Sequence, residues 1–499
     1  MLTTVALAYG TAAGPALADD TTTTTTPQAG PDFWTPPVLS DGEVQSLVNQ
    51  LNPNPVPLAG FNPKSGCVTS SGNDIPLTTI PPAQQMLNIS KAQQFATGKG
   101  VTVAVIDTGV NPHPFLTGHL EGGGDFVSNG NGESDCDGHG TLTAGIVAAR
   151  TTPSGAGFTG VAPDSNIMAI RQTSQVFQDA NSNTAGTAAT LADAILHAVR
   201  SGAQVITTSV DICFPADEAR DKMQTDPDFL RLEAVIQYAY EQNVVVVNSA
   251  GNTPSQPDPN QSGGSSSQSA SPCQSVPQNG NSNPNQVAQI EFPAVYSNFL
   301  LSVASVNPAQ APTQNAPSPG SVSTFSEWGP WVNIAAPGED IISIDPGVGA
   351  TGLANTFAEP SSSGSSQAPQ TIQGTSFAAP YVAGVAALVR QKFPTMNAAE
   401  VIRRIEVTAQ HPSGQDGRNN QVGFGVIDPV SALTADVPGQ NGVPTAAGTK
   451  IGAQLPQNAT HDWAQLRIAL LGAAGCGVLL LATLFVVRTR RRAKGVGDI

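Results

Sequence analysis

Apolar residues in this chain fall into short unbroken runs separated by amphipathic stretches, and that alternation predicts the fold. Residues 101–106 read Val-Thr-Val-Ala-Val-Ile before Asp107, Thr108 and Gly109. Such a run is too short for a helix and ends in a turn, as does a parallel strand buried on both faces. Residues 166–170, 204–210 and 244–248 have the same character. Between them, residues 187–200 place Leu191, Ala194, Ile195 and Val199 on one helical face, and residues 232–240 read as a further helix. A short helix with Lys91, Ala92, Gln93 and Phe95 precedes the first strand. Strands alternating with helices call for a three-layer α/β fold: a mainly parallel sheet, helices on both faces, and chemistry at the carboxyl ends of the strands.

Two more apolar runs are helical, and each begins at a residue that can do chemistry. Gly374-Thr375-Ser376-Phe377-Ala378-Ala379-Pro380 leads into Val382, Val385, Ala386, Leu388 and Val389. This predicts that Ser376 caps a core helix, with Pro380 in its first turn. A hydroxyl there lies near backbone N–H groups and the positive end of the helix dipole, both suited to an oxyanion. Asp137-Gly138-His139-Gly140-Thr141 leads into Ala144, Ile146, Val147 and Ala148, so His139 also stands at a helix start. Asp107, His139 and Ser376, in that chain order, supply a carboxylate, an imidazole and a hydroxyl nucleophile, the set a hydrolase needs.

These blocks resemble the subtilisin-type serine proteases over roughly residues 90–432. The matching segments are Val105-Ile106-Asp107-Thr108-Gly109, Asp137-Gly138-His139-Gly140-Thr141, Gly160-Val161-Ala162-Pro163, Ser249-Ala250-Gly251-Asn252, Ala335-Ala336-Pro337-Gly338 and the Ser376 segment. The resemblance implies a subtilisin-like fold, a catalytic triad of Asp107, His139 and Ser376, and Asn252 as side-chain donor of the oxyanion hole. It also implies that Ser209, Val210, Asp211, Ser249, Ala250 and Gly251 flank an extended substrate and wall the pocket for the residue before the cut. Leu142-Thr143 departs from the His-Val that many members carry. No cofactor is implied. His113, His119, His197, His411 and His461 show no paired metal-ligand spacing, so they read as structural or surface residues and no metal site is expected.

Composition and charge locate the catalytic unit within the 499 residues. A formal charge of −16 and a pI near 4.6 argue against nucleic acid as a partner. Residues 1–18 end in Ala16-Leu17-Ala18 before Asp19-Asp20, a signal-peptidase pattern without the usual basic n-region, which points to a start further upstream. Residues 19–90 are rich in Thr and Pro and cannot build a core alone, so they are expected to wrap a catalytic domain at 91–432. Residues 253–287, 307–321 and 347–368 read as inserted loops without helix or strand periodicity. A linker at 433–467 precedes residues 468–487, an uncharged stretch long enough to span a bilayer. Trp463 stands before that stretch, and Arg488, Arg490, Arg491, Arg492 and Lys494 follow in the tail 488–499. This is a positive-inside pattern that predicts a cytoplasmic tail and a protease outside the membrane.

Cys476 falls within the predicted membrane helix, leaving Cys67, Cys136, Cys213 and Cys273 outside. Four cysteines in an oxidising compartment allow three pairings. The favoured one is Cys67 with Cys136 and Cys213 with Cys273, each tying an irregular segment to a loop beside the predicted active site.

The order of signal segment, extension, protease domain, linker, membrane helix and basic tail resembles the mycosins, membrane-anchored subtilases of type VII secretion systems in actinobacteria. That resemblance implies two functional readings. One is an endopeptidase making limited cuts in exported protein substrates; the alternative is a structural subunit of the secretion complex whose catalysis is incidental.

Overall fold

The computed structural model of the chain describes residues 35–70, 75–151, 157–253, 287–308, 320–358, 369–412, 417–440 and 482–484. The chain forms two compact units, Met1–Asn441 and Gly442–Ile499. In the second, the described residues 482–484 are helical.

The first unit is built on seven strands: β1 (Thr102–Asp107), β2 (Leu120–Asp125), β3 (Asn166–Arg171), β4 (Val205–Thr208), β5 (Val245–Ser249), β6 (Leu300–Val306) and β7 (Ile334–Pro337). They lie side by side in the order β7-β6-β5-β4-β1-β3-β2, and every pairing is parallel. The apolar runs thus became sheet strands with both faces covered; Val103, Val105, Ile106, Val205, Val245 and Val247 are wholly buried. Strand order turns back at β1, whose neighbours are β3 and β4, and such a switch point leaves a crevice at the carboxyl ends. Asp107 is the last residue of β1, at that crevice.

The described residues form ten α-helices, among them α1 (Asp41–Val48), α2 (His139–Ala148), α3 (Ala188–Arg200), α4 (Pro227–Glu241), α5 (Thr375–Lys392) and α6 (Ala398–Val407). Helices α2 and α5 pack together and against the sheet, while α3 and α4 form a second pair against it. Helix α5 runs across β4, β5, β6 and β7, and is buried nearly all round, from Thr375 to Arg390. Caps set the limits of several helices. Thr187 and Thr190 close a capping box at α3, and Asn397 and Glu400 another at α6. Helix α4 starts five residues before the expected position, because Asp226 caps it and Pro227 sits at N1, where a missing N–H costs nothing.

Residues 35–70 of the extension lie against the catalytic unit and contain a helix the composition did not reveal. In α1 a Ser40–Glu43 capping box starts the helix, and Val44 and Val48 bury against α4. Two apolar residues make no core alone, but each buried valine contributes about 1.5–3 kcal/mol once a partner face is present. Further along, Asn52 N–H donates to Asp193 at 2.8 Å, and the His197 ring donates from Nδ1 to the Pro53 carbonyl at 2.7 Å. Asn62–Pro63 then pairs antiparallel with Ser174–Gln178, and Val68 N–H donates to the Cys136 carbonyl.

Cys67 and Cys136 form a disulfide, the first of the two favoured bridges. Cys273, the partner expected for Cys213, lies outside the described residues. So do most of the inserted loops, the signal segment, residues 441–467 of the expected linker and nearly all of the expected membrane helix; residues 433–440 instead belong to the folded unit, where Leu433, Val437 and Gln440 are buried. The described part of the loop at 347–368 corrects the expectation of no strands: Leu353–Ala354 pairs with Ser343–Ile344, and Thr356–Phe357 with Gln370–Thr371. Two-residue strands are too short to leave an alternation in the sequence.

The Cys67–Cys136 bridge closes a loop with a sequence separation of 69. By chain entropy such a bridge contributes about 4 kcal/mol at most, and commonly about 2–4. We expect Cys67→Ser to lower the urea midpoint accordingly, with unfolding of the original chain shifting to the same value under reductant. An unmoved midpoint in both would mean that the extension is held by its hydrogen bonds alone.

Candidate active site

Three elements bring the acid, the imidazole and the hydroxyl together. The Asp107 carboxylate accepts from His139 Nδ1, at 2.8 Å to Oδ1 and 3.0 Å to Oδ2. His139 Nε2 lies 2.9 Å from Ser376 Oγ. Asp107 is 3% exposed and Ser376 8%, while the imidazole keeps 24% of its side-chain surface open, on the cleft side. The ring rests on Phe377, with centroids 4.7 Å apart. With Nδ1 engaged by a carboxylate, the neutral imidazole carries its proton there and presents the Nε2 lone pair to the hydroxyl.

Local sequence explains how close these elements come. A Cβ at Gly140 would lie 2.0 Å from the Gly109 carbonyl and 3.1 Å from the Asp107 Cβ, so only glycine lets α2 begin against the end of β1. Beneath this contact sits Asp135, 1% exposed. It accepts from Thr108 Oγ1 (2.9 Å), Asp137 N–H (3.1 Å), Gly138 N–H (2.6 Å), Thr141 N–H (2.8 Å) and Thr141 Oγ1 (2.7 Å). Thr108 Oγ1 in turn accepts from Gly140 N–H at 2.9 Å. Burial pushes the Asp135 carboxyl up, and these donors pull it back. Sequence reasoning missed Asp135, although an acid two residues before Asp137 in a Gly-rich turn was the available signal. Thr143, in the pair that departs from the common pattern, places its hydroxyl 3.5 Å from Asp107 Oδ2.

At α5 the structure corrects two expectations. Ser376 is not the cap; Gly374 is, at φ 151°, and Ser376 is the second helical residue. Pro380 lies beyond the first turn, inside the helix. Lacking an N–H, it leaves the Ser376 carbonyl without its helical donor. Ser209 Oγ donates to that carbonyl instead, at 3.3 Å. Gly374 N–H donates to the Gly338 carbonyl at 2.8 Å, which explains the Ala335-Ala336-Pro337-Gly338 block: it moors the turn before the hydroxyl.

The remaining expected residues gather along the ends of β4 and β5. Asn252 Oδ1 accepts from Thr375 N–H at 3.0 Å and from Thr375 Oγ1 at 3.2 Å, and its Nδ2 donates to Asp211 Oδ2 at 3.2 Å. Ser249 Oγ donates to Asp211 Oδ1 at 2.6 Å. Ser249, Ala250 and Gly251 are buried and shape the wall from behind; Ser209 and Val210 are half-buried. Asp211 is exposed at the edge of the cleft, where the Ser249 hydroxyl, the His139 imidazole and the Asn252 amide favour its charged form. Behind Gly251 lies a carboxylate that sequence reasoning passed over, Glu291, 3% exposed.

Removing the Asp135 carboxylate strands several buried donors, each costing about 1–3 kcal/mol when left unpaired. Asp135→Ala is therefore expected to destabilise the unit by at least about 3 kcal/mol in urea unfolding, and to abolish turnover by loosening the His139–Asp107 geometry. Wild-type stability in that variant would show that the turn holds without its anion.

Comparison with known proteins matches this geometry. The subtilase family model covers residues 98–425. Mycosin-3 of Mycobacterium tuberculosis is 39% identical over 482 residues, 92% of this chain and 95% of the relative. Mycosin-1 of Mycolicibacterium smegmatis is 43% identical over 373 residues, covering 72% of this chain and 73% of its own length. Among solved structures, the MycP3 protease from the type VII (ESX-3) secretion system superposes with a TM-score of 0.62 at 35% identity, covering 81% of this chain and 100% of that one. A chain of the intact ESX-5 inner membrane complex gives 0.63 at 33% identity, over 91% of this chain and 100% of that one. A parallel sheet with Asp107, His139 and Ser376 in hydrogen-bonded series, matched by relatives along nearly the whole chain, places this protein in the subtilase family of serine proteases, among the mycosins.

Proposed function

We propose that this subtilase makes limited cuts in exported proteins, and that it works beside a type VII secretion complex from a membrane anchor at residues 468–487. The observation that carries the enzymatic part is the continuous hydrogen-bonded series from Asp107 through His139 to Ser376. In this reading Ser376 Oγ attacks the peptide carbonyl carbon while His139 Nε2 takes its proton. Asp107 holds the Nδ1 proton in place and stabilises the imidazolium. The proton then passes to the departing amine, and water repeats the sequence on the acyl-enzyme. Charge developing on the carbonyl oxygen meets the N-terminal N–H groups of α5 and the Asn252 amide. One hydrogen on Nδ2 serves Asp211, and the amide nitrogen carries a second.

The secretion part is supported by the relatives: one solved neighbour is named as a protease of the ESX-3 system and another belongs to an ESX-5 inner membrane complex. That neighbour in an assembled complex also favours the structural-subunit alternative. Membrane anchoring is supported by the uncharged stretch and its basic flank. Among the described residues, no helix is long and apolar enough to cross a membrane. The division between Asn441 and Gly442 agrees with a linker between catalytic unit and anchor, and the basic flank supports a catalytic unit outside the cytoplasm with the tail within it.

A serine-directed fluorophosphonate is expected to label the purified chain and not Ser376→Ala; absent labelling of the original protein would defeat the enzymatic reading. Asn252→Ala should lower turnover by roughly 10²–10³-fold with little change in KM. Near-normal turnover would reduce Asn252 to a turn residue. In a strain lacking the protein, complementation with Ser376→Ala should restore secretion if the physical role is the essential one. Loss of secretion at normal protein level would show that cutting itself drives export.

A further inference from the structure

Two carboxylates stand together where the substrate wall turns away from Ser376. Ile212–Pro215 pairs antiparallel with Gln289–Phe292, and Glu291 lies opposite Cys213. Asp211, two residues before Cys213, therefore shares its face and lies diagonally across from Glu291. Asp211 holds Ser249 and the same Asn252 that grips Thr375, one residue from Ser376. Glu291 approaches from the other side. A Cβ added at Gly251 would lie 2.7 Å from its Cγ and 3.0 Å from its Oε1, so the acid faces the Gly251 α-carbon directly. Glu291 is 3% exposed, and its Oε2 has no hydrogen-bond partner. Among the described residues, no Lys or Arg forms an ion pair with either acid.

A buried carboxylate oxygen without a donor, beside a second carboxylate and without a cation, is costly unless something completes it. Burial, with Asp211 and Glu327 nearby, pushes the Glu291 carboxyl well up. A neutral donor can hydrogen-bond the free oxygen but leaves the repulsion between the two acids in place, and an anionic guest adds to it; a cation offsets both, drawing the acids into their charged forms.

Resting on the protease reading above, we propose that the pocket for the residue on the amino side of the scissile bond selects lysine or arginine, with Glu291 at its base and Asp211 on its wall as the specificity-determining carboxylates. The aliphatic stem of such a side chain packs along the buried wall of Ala250 and Gly251 while its charged head reaches the acids. Sequence similarity to other subtilases does not dictate this preference, because it depends on which residues this chain carries at 211 and 291.

The test uses the full chain in detergent with a set of internally quenched peptides that differ only at the residue before the cut: Lys, Arg, Leu, Ala and Glu. The expected kcat/KM for Lys or Arg exceeds that for Leu by roughly 100-fold, the size of effect seen when buried charge pairs are made or broken. In Glu291→Gln and in Asp211→Asn that ratio should fall by about tenfold or more, chiefly through KM for the cationic peptides. Benzamidine, an aryl cation, should slow fluorophosphonate labelling of the original protein and do so less in Glu291→Gln. Labelling of each variant reports that its site is assembled, and the preference of the original protein stands as a test even if a variant does not fold. Equal or better cleavage after Leu or Ala by the original protein would overturn the inference while leaving the protease reading intact. A cationic preference that persists in both variants would overturn the assignment to these two acids. No cleavage of any peptide together with no labelling would remove the protease reading and this inference with it.

Discussion

The buried carboxyl group of Asp135 is the constraint on which the site geometry depends. Its oxygens gather donors from Thr108, directly after Asp107, and from the cap and first turn of the helix that begins at His139. Each donor alone is worth about a kilocalorie, but they share one acceptor group in a low-dielectric interior, so displacing one loosens the rest. Gly140 makes the approach sterically possible and Asp135 makes it favourable. The resulting 2.8 Å contact between His139 and Asp107 follows from backbone placement rather than from side-chain freedom.

Most of the architecture was legible because its elements are chemically extreme. Strands buried on both faces have to be unbroken apolar runs, and β1, β4 and β5 left little doubt about a parallel sheet. The three residues of the hydrogen-bonded series could be read because each lies at a strand end or helix start marked by glycine. What escaped has a physical reason in each case. Helix α1 is stabilised by the face of α4, and its own eight residues carry too little apolar surface to announce it. The cap falls at Gly374, two residues before the expected Ser376, because an extended glycine takes the place that serine more commonly fills. Glu291 escaped because its meaning comes from Gly251, forty residues away, and no local pattern links the two.

The extension shows how a segment without a core can still be ordered. It borrows partners at intervals: a helix face at Val44 and Val48, a carboxylate at Asp193, a strand edge at Gln178, and finally a covalent tie at Cys136. Because the tie sits three residues before His139, the wrap ends against the catalytic loop rather than at a remote surface. The cost of ordering a Pro-rich chain is reduced in advance, since proline has fewer unfolded conformations to lose.

Pro380 has a mechanical consequence. By withholding one N–H, it gives the carbonyl of Ser376 to the hydroxyl of Ser209, which belongs to the strand end that leads to Asp211. The reactive residue and the groove wall are thereby linked through a single bond outside the helix ladder. A chain laid along that wall and pressing on residues 209–211 would bear directly on the backbone that aims the hydroxyl, so the fit of a guest and the aim of the nucleophile become one displacement.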